Sequence, residues 1–416
     1  MDFKYGKEII KLDCSPGKVL LPREGEASAV EEADIIKAAL QNPVGSRPLR
    51  EIAPGKGKVV VLISDITRPC PSYKLLPHLM AELKAAGVAN DAITIVCGLG
   101  SHRQQTEAER CCLAGEEICR SYRVVDSDVN DYVAVGVSSR GTPFEVFRPV
   151  AEADLIICTG NIDYHYFAGY SGGCKAVVPG VCTRQTIQHN HKMMLEADAC
   201  TGKADGNPVR MDMEEIRRFL PVDFMLNVVL NPKKEIIAAY AGDPVRAHRR
   251  GCAFLDSLFK VEIKEAADIV IASAGGYPKD INIYQAQKAL DNGSVAVKDG
   301  GILILVANCS EGYGEATFES WLKEADSPDY LLAKIRAEFK LGGHKAAAIA
   351  GVVKRIKVFI VTELDEAVTD TLFMRRFDSL EQAYREALRE KGDKASVIAI
   401  PYAGATLPCL SKHEEA

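Results

Sequence analysis

The sequence predicts an α/β protein made of two α/β domains with largely parallel sheets. Its 416 residues allow two or three domains at roughly 100 to 200 residues per domain. Short Val and Ile runs that end in Gly, Asp or Thr alternate with helical stretches, which is typical of parallel strands covered by helices on both faces. We predict domains over residues 1–265 and 266–416, with an active-site cleft between them.

Each predicted element follows from a local pattern. Apolar residues on either side of Pro16 and Gly17 predict an N-terminal β-hairpin that packs on the first domain. Continuous apolar runs predict strands, and helices are predicted where apolar residues recur at helical spacing before a glycine. The strands are expected over residues 59–64, 93–97 and 155–158 in the first domain and 269–272, 302–306, 358–362 and 397–400 in the second, and the helices over 73–86 and 380–389.

The composition excludes several classes of protein. Hydrophobic residues make up 47% and charged residues 26%, as in a globular protein and unlike a disordered chain. The net charge of -6 disfavours binding to nucleic acid or anionic lipid. The apolar runs are far shorter than the roughly 20 residues that span a bilayer. The N-terminus lacks the apolar core of a signal peptide, and the 13 Cys include no C-x-x-C pair, so we expect a cytoplasmic protein with reduced thiols.

Candidate sites lie in the loops that follow the predicted strands, because ligands bind open α/β sheets at the carboxyl ends of their strands. The first such loop places Asp65, Thr67 and Arg68 within four residues, and Arg68 could clamp an anion. A helix N-cap at Asp65 or Thr67 with a solvated Arg68 explains the same residues. The next loop carries His102 after two glycines, where an imidazole could exchange protons near neutral pH or be inert.

The densest loop, over residues 164–180, is rich in glycine and aromatic residues. Ser171, Gly172 and Gly173 precede Lys175, a composition that can cradle a phosphate with backbone N–H groups and add a positive charge. The spacing is not that of a Walker A motif, so ATP chemistry of the P-loop kind is not indicated. A tight structural turn is the alternative, and the neighbouring histidine at position 165 favours a functional role.

Two helical segments carry further polar residues. Near His191 no second ligand lies at standard metal-binding spacing, so a metal there would take its other ligands from a cofactor. In the second domain Gln285 and Lys288 share one helical face beside Tyr284, and they could contact one ligand or form a solvated surface. Together these residues suit a small anionic substrate, held by Arg68 or Lys288 while histidines move protons.

The loops resemble those of the nickel-dependent lactate racemase family, and the resemblance covers nearly the whole chain. Residues 64–69 are similar to the D-x-T-R-P loop of that family, and residues 98–103 to its G-x-H-R loop. Residues 165–180 are similar to its H-[FY]-F-A-G-[FY]-S-G-G-x-K stretch, and residues 284–288 to its Y-Q-A-x-K motif. His191 falls at the distance from the lysine that is usual in the family.

The resemblance implies a nickel cofactor, in which a pyridinium-3,5-bisthiocarboxylic acid mononucleotide (the nickel-pincer nucleotide) holds the metal. Its phosphate would lie in the glycine-rich loop, it could be joined covalently to Lys175, and His191 would complete the nickel coordination. The cofactor-binding residues that the resemblance implies are Asp65, Thr67, Arg68, Ser171, Gly172, Gly173, Lys175 and His191.

The implied reaction is racemisation or epimerisation of a 2-hydroxy acid, lactate or a related one. The hydroxyl proton would pass to His102 or His165, one base for each enantiomer. The α-hydrogen would pass as hydride to the cofactor and return to the other face of a 2-oxo acid. The implied partners are this substrate and the enzymes that build and load the cofactor, whereas no oligomeric state is implied. The substrate-binding residues would be Arg68, Tyr284, Gln285 and Lys288.

The chain departs from the family pattern at two places. Cys174 stands where lactate racemase usually has an arginine, so a phosphate contact is expected to differ. The segment aligned with an active-site tryptophan is residues 341–345, and the only tryptophan of the chain is Trp321. A more polar pocket, with His344 or Lys345 nearby, would admit larger or more acidic 2-hydroxy acids, although His344 could instead cap a helix.

Two other functions stay open from the sequence. A non-catalytic nickel- or nucleotide-binding protein could keep the same scaffold, but it would need neither His102 nor His165. An NAD-dependent dehydrogenase ranks last, because no G-x-G-x-x-G follows a predicted strand with an acid about 20 residues further on.

Overall fold

The structure is a computed structural model, and it divides the chain into two compact units that are described separately below. None of the described helices combines the length and the apolar character needed to cross a membrane. No cysteine in the described part of the chain forms a disulfide. The described residues are 1–13, 16–22, 30–231 and 233–411.

The chain begins with three short strands. The first two pair antiparallel, with Phe3 opposite Ile10, so the chain begins with a hairpin whose turn lies between Tyr5 and Glu8. The predicted turn around Pro16 and Gly17 is wrong, because the strand that follows it pairs with β19 and not with the first two strands. The strands are β1 (Asp2–Tyr5), β2 (Glu8–Lys11) and β3 (Lys18–Val19).

The unit formed by Gly25–Asp256 follows, and its strands include the three predicted ones. They are β4 (Val59–Ser64), β5 (Ile93–Gly98), β6 (Arg123–Asp126), β7 (Tyr132–Val137), β8 (Pro143–Phe147), β9 (Leu155–Asn161), β10 (Tyr164–His165), β11 (Gly169–Tyr170), β12 (Val222–Leu230) and β13 (Ile236–Gly242).

The helices of this unit include the predicted one over residues 73–86, which is found as α3. They are α1 (Glu32–Gln41), α2 (Leu49–Ile52), α3 (Ser72–Ala85), α4 (Glu107–Ala114), α5 (Glu116–Ser121), α6 (Arg148–Ala151), α7 (Arg184–Lys192), α8 (Pro208–Glu214) and α9 (Arg246–Phe259), the last of which runs past the end of the unit.

A six-stranded sheet of order β13-β12-β9-β4-β5-β6 forms the centre of this unit, and all of its pairs are parallel except β12 with β13. Alternate residues of β4 enter different cores. Val59 and Val61 pack in one core, whereas Val60 and Leu62 pack in the core on the opposite face. Burial on both faces explains why the strand reads as one uninterrupted apolar run.

The second unit resumes at Ser257. Its elements include the four predicted strands and the predicted helix, which begins at Leu380 after an N-cap at Ser379. They are β14 (Lys260–Ile263), β15 (Ala267–Ser273), α10 (Ile283–Ser294), β16 (Val297–Val306), α11 (Ala316–Glu324), α12 (Pro328–Ala337), α13 (Gly343–Arg355), β17 (Lys357–Val361), α14 (Glu366–Thr371), β18 (Arg375–Phe377), α15 (Leu380–Lys391), β19 (Val397–Ile400) and β20 (Leu407–Leu410).

A second six-stranded sheet has the order β18-β17-β16-β15-β19-β3, and all of its pairs are parallel. Separately, β14 pairs in parallel with β20. The chain therefore has the predicted α/β class, with two largely parallel sheets in two units.

The predicted packing of the N-terminal hairpin on the first domain is wrong. The structure groups Met1–Glu24 with the C-terminal unit, because β3 extends its sheet beside β19, and Phe3 lies in the core below that sheet. The divide between the units also falls at Asp256, earlier than the predicted residue 265. The pairing of β14 with β20 accounts for this shift, because it holds the segment after α9 in the C-terminal unit.

We predict that Phe3→Ala destabilises the C-terminal unit by about 3–5 kcal/mol, because it empties a fully buried aromatic position. The matched control is Ile9→Ala on the same hairpin. Ile9 is 60% exposed, so its loss is expected to change the stability by no more than about 0.5 kcal/mol. Urea unfolding followed by the fluorescence of Trp321, which lies in this unit, measures both. Equal effects of the two substitutions would show that the hairpin does not anchor the unit.

Candidate active site

A carboxylate and a histidine from neighbouring strand ends meet at the carboxyl edge of the first sheet. Asp65 follows β4, His102 follows β5, and Nδ1 of His102 lies 3.2 Å from Oδ2 of Asp65. Thr67 donates its hydroxyl to Oδ1 of Asp65 at 2.5 Å and its backbone N–H to the same oxygen at 2.9 Å. Three of the predicted site residues therefore form one connected group.

This group fixes the charge of Asp65 and the tautomer of His102. Burial alone would raise the pKa of Asp65, but the hydrogen bonds from His102 and Thr67 outweigh it and lower the pKa to about 2. Because an ionised carboxylate only accepts hydrogen bonds, Nδ1 of His102 carries the hydrogen in this contact and Nε2 carries the lone pair. His102 is thus oriented as a base through Nε2.

Arg68 is the exposed cation of this group. Its Nε lies 3.9 Å from Oδ2 of Asp65, and its side chain is 53% exposed, so the guanidinium remains accessible to an anion. The alternative that Asp65 or Thr67 caps the following helix is wrong. Helix α3 begins at Ser72, its N-cap is Pro71, and no side chain caps it.

Gln105 also belongs to this edge, although the sequence analysis did not select it. Its Oε1 accepts the N–H of Ile66 at 2.8 Å, and its Nε2 donates to Asp126 at 2.8 Å. The side chain ties the loop after β4 to the end of β6. Nothing in the local sequence separates this glutamine from a solvated one, because its partners come from distant positions in the chain.

The glycine-rich loop lies over small residues at the same edge of the sheet. A Cβ on Gly98 would lie 3.2 Å from the carbonyl oxygen of Gly180, and one on Gly160 would lie 4.0 Å from Cα of Gly172. Gly172 has a φ of +78°, and a Cβ there would lie 2.5 Å from Oδ1 of Asn227. Gly98 and Gly172 are therefore needed for the loop to approach the sheet so closely, whereas a Cβ on Gly160 would make ordinary van der Waals contacts.

Ser171 has its hydroxyl engaged within the loop. The hydroxyl donates to the carbonyl of Asn161 at 2.7 Å and accepts the N–H of Asp163 at 2.9 Å. In this structure the predicted phosphate-binding serine shapes the loop through these two bonds.

His165 lies among aromatic rings. It packs edge-on against Phe167 with ring centroids 4.5 Å apart, and its Nδ1 accepts the N–H of Ala168 at 3.3 Å. Burial lowers the pKa of His165 well below its ordinary value, and the positive charge of Lys175 adds to the effect. A neutral imidazole that accepts through Nδ1 carries its hydrogen on Nε2. His165 therefore presents a donor, where His102 presents an acceptor.

Lys175 lies in a turn of 3-10 helix over Gly173–Ala176. Burial lowers the pKa of Lys175 to about 7, the charges of Arg68 and Arg210 add to the effect, and Asp65 opposes it. A neutral lysine amine is a nucleophile, so this residue is suited to forming a covalent bond near neutral pH.

His191 is buried on α7 and held by a chain of side chains. Its Nδ1 lies 3.0 Å from Oδ1 of Asn190, whose Nδ2 donates to Asp212 at 2.8 Å. Since an amide oxygen only accepts, Nδ1 carries the hydrogen and Nε2 carries the lone pair that a metal ligand needs. Neither Asn190 nor Asp212 was among the predicted site residues.

The residues around the glycine-rich loop fit a phosphate-bearing cofactor that also carries a metal. Nδ2 of Asn227 is buried without a hydrogen-bond partner within the described ranges, while its Oδ1 accepts the N–H of Gly173 at 2.7 Å. Lys175 adds a cation or a nucleophile, and His191 adds one metal-binding nitrogen. No group of three or more His, Cys, Asp or Glu residues among those described could hold a metal ion.

The remaining predicted residues belong to the other unit. Tyr284, Gln285 and Lys288 lie in the first turns of α10, whose N-cap Asn282 accepts the N–H of Gln285. Gln285 is exposed, whereas Tyr284 and Lys288 are partly buried. The predicted helical placement of Gln285 and Lys288 is therefore confirmed.

Residues 341–345, the segment aligned with the active-site tryptophan of the family, contact helix α10 through Lys345. Nζ of Lys345 donates to the carbonyl of Tyr284 at 2.6 Å and lies 4.0 Å from the centroid of its ring. Burial lowers the pKa of Lys345 to about 8, and the charge of Lys288 adds to the effect. His344 accepts the N–H of Gly342 through Nδ1 at 3.0 Å. It lies inside α13, whose N-cap is Gly342 and which has no side-chain cap, so the capping alternative is not confirmed.

Trp321 lies upstream in the sequence but reaches the same segment. A Cβ on Gly343 would lie 2.6 Å from its indole ring, so the ring covers the first residue of α13 directly. The aligned segment therefore contacts a tryptophan, although it contains none.

Two family models match the chain over most of its length. The model of the lactate racemase N-terminal domain matches residues 5–202, and that of the lactate racemase C-terminal domain matches residues 262–406. A lactate racemase of Thermoanaerobacterium thermosaccharolyticum is 34% identical over 415 residues, covering 96% of this chain and 97% of the relative. A lactate racemase of Lactiplantibacillus plantarum is 33% identical over 416 residues with the same shares.

Solved structures agree with these matches. The lactate racemase apoprotein of T. thermosaccharolyticum has a TM-score of 0.88 at 32% identity, covering 98% of this chain and 99% of its own. A Thermotoga maritima protein shares the fold alone, with a TM-score of 0.63 at 19% identity, covering 94% of this chain and 100% of its own. The class is thus an enzyme, an isomerase of the racemase type. The chain belongs to the lactate racemase family.

We predict that the Lys175 amine is labelled by acetic anhydride with a midpoint near pH 7, because its pKa is lowered to about 7 and the amine is neutral above that pH. The matched control is Lys203, an exposed lysine whose pKa is raised by a hydrogen bond to Asp198. Its labelling is expected to keep rising beyond pH 10. Peptide mass spectrometry at a series of pH values measures both. A shared midpoint for the two lysines would contradict the perturbed amine.

Proposed function

We propose that the protein interconverts the enantiomers of a 2-hydroxy acid, lactate or a related one, with a nickel-pincer nucleotide as cofactor. The observation that carries the proposal is a pair of histidines in one unit that differ in which ring nitrogen carries the hydrogen. His102 presents a ring nitrogen with a lone pair, and His165 presents one with a hydrogen. A hydroxyl group that becomes a carbonyl, and then a hydroxyl again, needs an acceptor and a donor of this kind.

His102 takes the hydroxyl proton of one enantiomer through Nε2. The ionised Asp65 stabilises the imidazolium that forms, because it already holds the Nδ1 hydrogen. For the opposite enantiomer the base is His165. His165 takes the hydroxyl proton on Nδ1, the ring nitrogen with the lone pair, and this releases the N–H of Ala168. The imidazolium is the form of either histidine that returns a proton to the substrate oxygen.

The substrate carboxylate needs fixed cations that serve both enantiomers. In one unit Arg68 offers an exposed guanidinium beside Asp65. In the other unit, the family resemblance assigns Lys288 of α10 to the carboxylate, and Tyr284 and Gln285 to orienting the substrate. Lys345 lies against Tyr284, so a second acidic group on the substrate would meet a further cation there. This placement favours substrates larger or more acidic than lactate.

Lys175 and the glycine-rich loop would hold the mononucleotide, and His191 would bind nickel through Nε2. When bound, the cofactor supplies a hydride acceptor, so that the substrate passes through its 2-oxo acid. Because its pKa is lowered to about 7, the amine of Lys175 can be neutral near pH 7 and form a covalent bond to the cofactor. The partners that the family resemblance implies are the enzymes that build and load this cofactor.

The test uses protein co-expressed with those maturation enzymes. Nickel content and intact mass are measured first, and single enantiomers of lactate, malate and other 2-hydroxy acids are then incubated in D2O. We expect nickel, inversion of at least one acid by chiral chromatography, and no deuterium at C2, because a hydride does not exchange with solvent. Deuterium at C2 would contradict hydride transfer. Nickel without any inversion would support the non-catalytic binder, and no nickel would overturn the cofactor.

We predict that His102→Gln and His165→Gln each lower turnover by about 10²–10⁴-fold in both directions, because each direction uses both histidines. The matched control is His189→Gln, an exposed histidine on α7 that bonds only to its own helix. Initial rates from each enantiomer are measured by chiral chromatography at equal nickel content. A variant at position 102 or 165 that keeps wild-type turnover would remove that residue from the mechanism.

A further inference from the structure

Six successive backbone carbonyls of the glycine-rich loop, from Phe167 to Gly172, each accept a hydrogen bond from a distant part of the unit. Three of these six bonds come from one fully buried side chain, that of Arg210. Its NH1 donates to Gly172 at 2.9 Å, its NH2 donates to Tyr170, and its Nε donates to Ala168 at 3.4 Å. The planar guanidinium therefore fixes three alternate residues of the loop at once.

The other three carbonyls complete the set. Nδ2 of Asn207 donates to Phe167 at 2.9 Å, and the N–H of Gly202 donates to Gly169 at 3.0 Å. Nε2 of His248 donates to Ser171 at 2.7 Å. Burial lowers the pKa of His248 well below its ordinary value, so the ring is neutral and donates from Nε2 alone. Of these six bonds, only those of Arg210 bring a charge.

That charge has no carboxylate partner within ion-pair distance in the described part of the chain. The acid whose charge acts on it is Glu214, which is held by two hydrogen bonds from Arg249 at 2.8 and 2.9 Å. Arg210 instead bonds only to neutral carbonyls, although burying an unpaired charge is costly. An anion bound to the loop would offset this cost.

Positive charge also exceeds negative charge around Lys175. Both Arg68 and Arg210 act on its amine, and only Asp65 opposes them. Such a surplus suits a ligand with two negative charges, as a phosphate monoester has near neutral pH.

We propose that Arg210 is a positioning residue for the cofactor phosphate: it holds the glycine-rich loop by three carbonyls and supplies the buried positive charge that a bound phosphate monoester compensates. The inference rests on the proposed function for the identity of the ligand. Arg210 lies on the side of the loop that its carbonyls face, because its guanidinium donates hydrogen bonds to three of them.

The experiment compares two probes that differ only in the phosphate, nicotinic acid mononucleotide and nicotinic acid riboside. Their affinities for the purified full-length chain are measured by titration calorimetry. In wild type the mononucleotide is expected to bind at least 10-fold more tightly. In Arg210→Met this advantage is expected to fall at least 10-fold, while the affinity for the riboside is unchanged. In Arg210→Lys, which keeps the charge but not the planar fork, the advantage is expected to be intermediate.

The matched control is Arg217→Met, which removes a partly buried guanidinium that pairs with Asp243 and contacts no loop carbonyl. Its phosphate advantage is expected to equal that of wild type. Equal losses for both probes in Arg210→Met would show a merely structural role and overturn the proposal. If that variant does not fold, Arg210→Lys decides in the same way.

An unchanged phosphate advantage in Arg210→Lys would also overturn the proposal, because it would make the three-carbonyl fork irrelevant. A wild type that binds both probes equally would overturn it as well, and would count against a mononucleotide cofactor. Nickel content and turnover of the matured enzyme are independent of these probes. A failure of the proposed function is therefore distinguishable from a failure of the role given to Arg210.

Discussion

The candidate site depends on one constraint, the conformation of the glycine-rich loop against the end of the first sheet. The loop reaches the sheet because Gly98 and Gly172 have no side chains, and it keeps its shape because its carbonyls from Phe167 to Gly172 are bonded. The donor tautomer of His165 and the depressed pKa of Lys175 both follow from this conformation, since each residue is buried by the loop that carries it.

The candidate site contains charged groups whose burial lowers the stability of the folded chain. Lys175 and His165 are partly buried and Arg210 is fully buried. All three pKa values are shifted towards the neutral forms, which means that folding opposes their charges. A chain selected for stability alone would replace them with apolar residues of similar size. Their presence in an otherwise apolar core, with Cys174 and Val177, indicates a ligand that makes these charges favourable when it binds.

Much of this arrangement could be predicted from the sequence, because it depends on patterns of residues that are close together in the chain. The run over residues 59–64 is buried on both faces, so its composition alone identifies a central strand. Strand order at the carboxyl edge then brings the loops with Asp65 and His102 together. The sequence could not show that the two side chains bond, because that depends on rotamers and on the exact approach of two loops.

Other features depend on contacts that no local pattern records. The residues close to Arg210 in the sequence do not distinguish it from an arginine on the surface of a helix. Its position under the glycine-rich loop is seen only in the folded chain. Asp212 lies on the same helix and supports His191 through Asn190. The wrong placement of the hairpin has the same cause. The pairing of β3 with β19 joins segments near opposite ends of the chain. A strand of two residues is too short for its sequence to indicate which strand it pairs with.

That pairing has a consequence for synthesis. As the chain leaves the ribosome, β3 emerges before any other part of its sheet, and its partner β19 emerges near the end. Residues Gly25–Asp256 can complete their own core in between, because their sheet uses only strands from within that range. Phe3 and its hairpin must meanwhile stay unassembled and exposed to chaperones or aggregation. A fusion partner at the N-terminus would therefore act on the last folding step of the protein, not on the first.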